Sequence, residues 1–169
     1  MNQSVWTRLD VAARSLAPFA VTLFLVIVAM VPFKVPGISA IVPSLGLISV
    51  YFWVIYRPDL MPVWAVFLVG VIQDLLSGGQ LGAGTMVLLL IWFAIAAQRR
   101  FFSSGSFMVI WAVFILLAAG AQALIWLFNS VIVGMPLDAR PLVFQYLTTV
   151  AIYPCIAWLF VHAQRGFAR

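Results

Sequence analysis

No glutamate occurs in this chain of 169 residues, which holds one histidine, one cysteine and four acidic residues in all. Each scarcity excludes something. A lone Cys155 permits no intramolecular disulfide. His162 and Cys155 stand at i,i+7 near one end of the last apolar segment, but two ligands without a third fall short of a zinc site. His162 reads better as an interfacial residue, and Cys155 as a small packed one beside Pro154. Catalysis ordinarily needs convergent titratable groups. Nothing here resembles G-x-S-x-G, H-E-x-x-H, a P-loop or a dinucleotide fingerprint. Ion-coupled transport places several acids or bases within the membrane, and the one available here is poor material for it. No enzyme activity, cofactor or metal is expected.

Charge is scarce as well. Charged residues make up 8% of the chain and hydrophobic residues 66%, against about 25% charged in soluble domains. The charge-free windows are Ser15–Phe33, Val35–Tyr56, Leu60–Gln73, Leu75–Gln98, Phe101–Leu137 and Pro141–Gln164. A spanning helix takes about 20 mostly apolar residues. The windows predict a single polytopic membrane domain over residues 1–169. Its fold class is all-α, with six transmembrane helices at about 16–33, 38–56, 60–76, 82–98, 107–130 and 142–163. Leu16–Phe33 exceeds a signal-peptide core and no convincing cleavage site follows it, so it is expected to be retained. Residues 1–15 suit an interfacial leader or a merely solvated one.

Connections are short, and no repeat is visible. Arg8, Arg14, Arg57, Arg99, Arg100, Arg165 and Arg169 fall on one side of this arrangement, and Lys34 and Arg140 on the other. That asymmetry predicts cytoplasmic N- and C-termini. The basic balance therefore reads as topology, and scattered arginines without a patch speak against a nucleic-acid partner. Pro62 and Pro141 fit first helical turns, and Pro43 either starts or kinks the second helix. Pro154 should bend the sixth helix and free the carbonyl of Val150, with Thr148 and Thr149 near enough to help.

Asp74 is the one charge inside an apolar span. Burying an ionised group in hydrocarbon costs roughly 2.5–3.5 kcal/mol, and a carboxylate near a helix C-terminus also opposes the helix dipole. Asp74 therefore needs donors. The glycine-rich run Ser77-Gly78-Gly79-Gln80-Leu81-Gly82 follows it, and the next helix starts with a positive dipole end. Asp74 is expected to accept hydrogen bonds from this turn or from the first turn of that helix. Gly70, one turn earlier on the same face, would let a neighbouring helix come close. The leading reading is a carboxylate pinning a tight turn; the others are contact with a partner's helix and a proton or substrate site. Arg57, Pro58 and Asp59 form a turn at the opposite end, read as a solvated topology anchor or a docking point. Ala118, Ala119, Gly120, Ala121 and Ala123 make a small-residue patch suited to helix contact, within the chain or with a partner.

The order Tyr51-Phe52-Trp53, Arg57-Pro58-Asp59, Gly70-x-x-x-Asp74-Leu75-Leu76-x-Gly78 and Leu81-Gly82, in a chain of this size, resembles the bacterial rod shape-determining MreD family. The resemblance is specific over about Pro43–Gln98 and elsewhere rests on hydropathy and length. It implies a non-catalytic scaffold in the cytoplasmic (inner) membrane, within the machinery that elongates the cell wall. The implied partners are an MreC-like single-span periplasmic protein, a RodA-type glycosyltransferase with its class B transpeptidase, and MreB filaments, directly or indirectly. The family is also distantly similar to the six-helix substrate-binding components of energy-coupling-factor vitamin transporters, a likeness of fold that transfers no activity. The alternative is a small-molecule binding subunit of a transporter, although the expected outer connections offer few polar groups, chiefly Ser77, Gln80, Asn129, Asp138 and Arg140.

Overall fold

The computed structural model describes residues 18–29, 42–78, 81–98 and 106–167, the last five by backbone alone. The leader over residues 1–15, Lys34, Arg99 and Arg100, the side chain of Arg165, and Arg169 lie outside what is described. Among the described residues there are six helices and no strand. They are α1 (Pro18–Ala29), α2 (Leu45–Tyr56), α3 (Val63–Ser77), α4 (Ala83–Ala97), α5 (Phe107–Val133) and α6 (Arg140–Phe167), with a 3-10 turn at Pro58–Leu60.

Two of them, α5 and α6, are long and apolar enough to cross a membrane; α1 to α4 are shorter apolar helices. At 12, 15 and 15 residues, α2, α3 and α4 reach only about 18–22 Å. Local causes shorten them. Pro58–Leu60 splits off as its own turn, and Pro62 holds an extended backbone immediately before α3 rather than in its first turn. Gly78 and Gly82 adopt left-handed conformations (φ 62° and 101°) that end α3 and open α4, a geometry glycine adopts without steric cost.

The shortest of these three is the centre. Gly46 to Val54 of α2 are buried without interruption, as in a helix apolar on every face. It packs against α3, α4 and α6, while α3 pairs with α4, and α5 with both α4 and α6. Tyr51 joins three helices. Its hydroxyl donates to the carbonyl of Ile110 at 2.7 Å, and its ring lies 4.9 Å from Phe114 of α5 and 5.7 Å from Tyr153 of α6. Tyr51→Phe keeps the rings and loses one buried bond. A loss of about 1 kcal/mol is expected in unfolding from detergent, with the helical circular dichroism unchanged.

The outer faces of α5 and α6 identify the solvent. In their most apolar windows only 28% and 17% of residues are buried, and along the two helices Met108, Leu116, Val131 and Leu159 are exposed. Apolar surface of that extent suits lipid rather than water. Pro154 lies inside α6 as expected, but the Val150 carbonyl finds a different partner from the one anticipated. The indole N–H of Trp111 donates to it at a long 3.4 Å, while Thr148 and Thr149 serve carbonyls one turn earlier. The indole N–H of Trp92 donates to the Met61 carbonyl at 3.0 Å, tying α4 to the turn before α3.

Candidate functional site

The polar chemistry inside the bundle converges where α3 meets α4. Asp74 sits one turn before the end of α3 and is 6% exposed, the one buried charge among the described residues. Its Oδ2 accepts three hydrogen bonds: from the Gly82 N–H at 2.9 Å, the Thr85 N–H at 3.0 Å and the Thr85 hydroxyl at 2.7 Å. Gly82 is the N-cap of α4 and has no side chain to cap with. Asp74 supplies the missing oxygen from the preceding helix, satisfying two amides that an isolated helix start leaves unpartnered. The charge lies against the positive end of the α4 dipole, which offsets its unfavourable place near the end of α3. On the α3 side, the Ser77 hydroxyl donates to the Asp74 carbonyl at 3.0 Å. The turn is thus tied at both backbone ends to one residue.

Close approach makes this possible. A Cβ added at Gly70 would meet the backbone Cα of Thr85 at 2.7 Å, and one at Gly84 would overlap the Asp74 carboxylate itself. Gly70, Asp74 and Gly82 therefore form one assembly with Thr85 and Gly84, while Gly78 ends α3 with open space beside it. Thr85 and Gly84 are not singled out by the sequence. Threonine and glycine at a helix start are ordinary, and only the register of α3 on α4 gives them a role. A second approach was equally hidden: a Cβ at Gly46 would overlap the side-chain amide of Gln73.

Arg57, Pro58 and Asp59 do not join this cluster. They lie at the other end of α3, about 20 Å away along the helix, in the 3-10 turn whose Met61 N–H closes on the Pro58 carbonyl. Both charged side chains there are exposed. The small-residue patch of α5 divides between faces: Ala118 and Ala121 are buried, whereas Ala119, Gly120 and Ala123 are exposed. Cys155 and His162 are exposed too, with the His162 ring against Trp158 at 4.1 Å. Among the described residues no group of three metal-ligating side chains comes together.

No curated protein and no solved structure matches the chain significantly. The model of one family, rod shape-determining protein MreD, matches residues 12–163, which include every element described above except the last residues of α6. With that match over nearly its whole length, the chain belongs to the rod shape-determining protein MreD family.

Proposed function

We propose that this protein acts in rod-shape determination as a non-catalytic scaffold of the inner membrane. It crosses six times with both termini in the cytoplasm, binds an MreC-like single-span periplasmic protein, and couples MreB filaments to a RodA-type glycosyltransferase and its class B transpeptidase. The observation that carries this reading is the family match over residues 12–163. Apolar helices, exposed apolar faces and the arginine asymmetry accord with it. So does the use of Asp74, whose Oδ2 is engaged by the start of α4. A carboxylate held so is a fastening within the fold rather than a base awaiting substrate.

Deletion of the gene from a rod-shaped host is expected to give spherical cells. Restoring the protein should return rods, and an affinity tag on it should recover the MreC-like partner from solubilised membranes. Rods that persist after clean deletion would overturn the proposal.

A further inference from the structure

Side-chain contacts fix the relative heights of the helix ends. The Ser44 N–H, at the N-cap of α2, donates to the Thr149 hydroxyl at 2.9 Å, so α2 begins level with Thr149 of α6. Gly46, two residues on, lies against the side chain of Gln73 in α3. The start of α2 and the Asp74 end of the α3–α4 hairpin therefore share one level. The α5–α6 hairpin does not stop there. From Thr149, α6 runs nine positions outward to Arg140, and from Gln122, which donates to Gln145, α5 runs eleven to Val133. At 1.5 Å per residue this carries the α5–α6 connection on the order of 10 Å beyond Gly78, the end of α3.

The surfaces of the two hairpins then decide where the membrane boundary falls. All residues from Val131 to Pro141 are exposed; Val131, Ile132 and Val133 end α5 as an apolar arm, and Met135 lies beyond it in the connection that carries Asp138. Water would not accommodate that arm; the boundary is instead marked by the exposed charges Asp138 and Arg140 at its end. Among its described residues the shorter hairpin also exposes large apolar side chains near its tip. Leu75, Leu76 and Leu81 are 60%, 49% and 69% exposed, and the one charge there is buried and supplied with three protein donors. Donors supplied by the protein, here three to Oδ2, are what a carboxylate needs where no water reaches it.

We infer that the Asp74-pinned tip of the α3–α4 hairpin ends inside the hydrocarbon, below a step walled by the α5–α6 hairpin, and that lipid acyl chains of that leaflet fill the step and thin the bilayer beside it. A helix pair shorter than the roughly 30 Å hydrocarbon core draws the leaflet down to its own end. The occupant is lipid because the described residues of the tip present exposed leucines, while the Ser77 hydroxyl is engaged by the Asp74 carbonyl and the Asp74 carboxylate by α4. This inference rests on the reading that the chain spans the membrane.

Nitroxide labels on Leu81→Cys and Met135→Cys, each in a Cys155→Ser background and reconstituted in phosphatidylcholine vesicles, test it by power-saturation spectroscopy with oxygen and a water-soluble nickel complex. The label at 81 is expected to show an oxygen-to-nickel accessibility ratio several-fold above that at 135. Equal ratios, or greater nickel access at 81, would place the tip at the surface and overturn the inference. A label at 81 shielded from both reagents would put protein in the step, and would overturn it as well. An impermeant thiol reagent applied to sealed cells expressing Met135→Cys separates the two claims: failure to react would refute the topology on which the inference stands. Leu75→Cys repeats the measurement should Leu81→Cys fold poorly.

Discussion

Asp74→Leu is expected to lower the unfolding free energy in detergent by about 3–5 kcal/mol, and Asp74→Asn by about 1–2 kcal/mol. The difference follows from what each side chain leaves behind. Leucine matches the volume and the apolar surroundings, but abandons the Gly82 N–H, the Thr85 N–H and the Thr85 hydroxyl in a buried place. A buried donor left unpartnered costs about 1–3 kcal/mol, and the three costs overlap because two belong to Thr85. Asparagine still offers an amide oxygen where Oδ2 lies, so the N-terminal amides of α4 keep an acceptor and lose only its charge. The chain loses cap strength and retains the turn. Urea or thermal unfolding followed by tryptophan fluorescence measures both variants. Equal losses would show that the charge, rather than the acceptor, holds the hairpin, and would remove the capping account.

That account was partly legible in the sequence for a simple reason. A chain that clears charge from its interior makes any exception conspicuous, so Asp74 and the glycines after it stand out in the sequence itself. Gly70 was visible through its i,i−4 relation to Asp74. Thr85 and Gly84 were not, because their roles depend on how far α4 slides along α3, and nothing in an apolar helix records its register. The centrality of α2 was hidden for a related reason. In a soluble protein a helix buried all round is more apolar than its neighbours. In a membrane chain lipid and core are both apolar, so α2 and the lipid-facing stretches of α5 read alike. Helix ends suffered most where a proline acted one residue away from its expected position. The 3-10 turn at Pro58–Leu60 delays the start of α3 to Val63, whereas its end at Ser77, followed by the left-handed Gly78, falls within one residue of the expected position. By contrast, the freed carbonyl of Val150 was foreseeable from Pro154, whereas its partner Trp111 sits 39 residues away.

Three glycine substitutions separate the packing of α3 on α4 from its capping. Alanine in a helix is favoured over glycine by about 0.8–1.0 kcal/mol, so a helical glycine with room beside it should gain from Gly→Ala. Gly120 is such a position: no atom lies within 4 Å of an added Cβ, and Gly120→Ala is expected to be neutral or stabilising by up to about 1 kcal/mol. Gly70→Ala meets the Thr85 backbone, which cannot rotate aside as a side chain would. The helices must part, and the overpacking cost of about 1–3 kcal/mol exceeds the propensity gain. Gly84→Ala drives a methyl into the Asp74 carboxylate and should displace it from the Gly82 and Thr85 donors, at a loss approaching that of Asp74→Leu. The combination of Gly84→Ala with Asp74→Leu then discriminates. If Gly84 matters because it leaves space for the carboxylate, its alanine variant adds little once the carboxylate is gone, and the double variant falls well short of the sum. Additive losses would mean that Gly84 serves some contact other than Asp74, and the shared site at the α3–α4 turn would have to be divided into two.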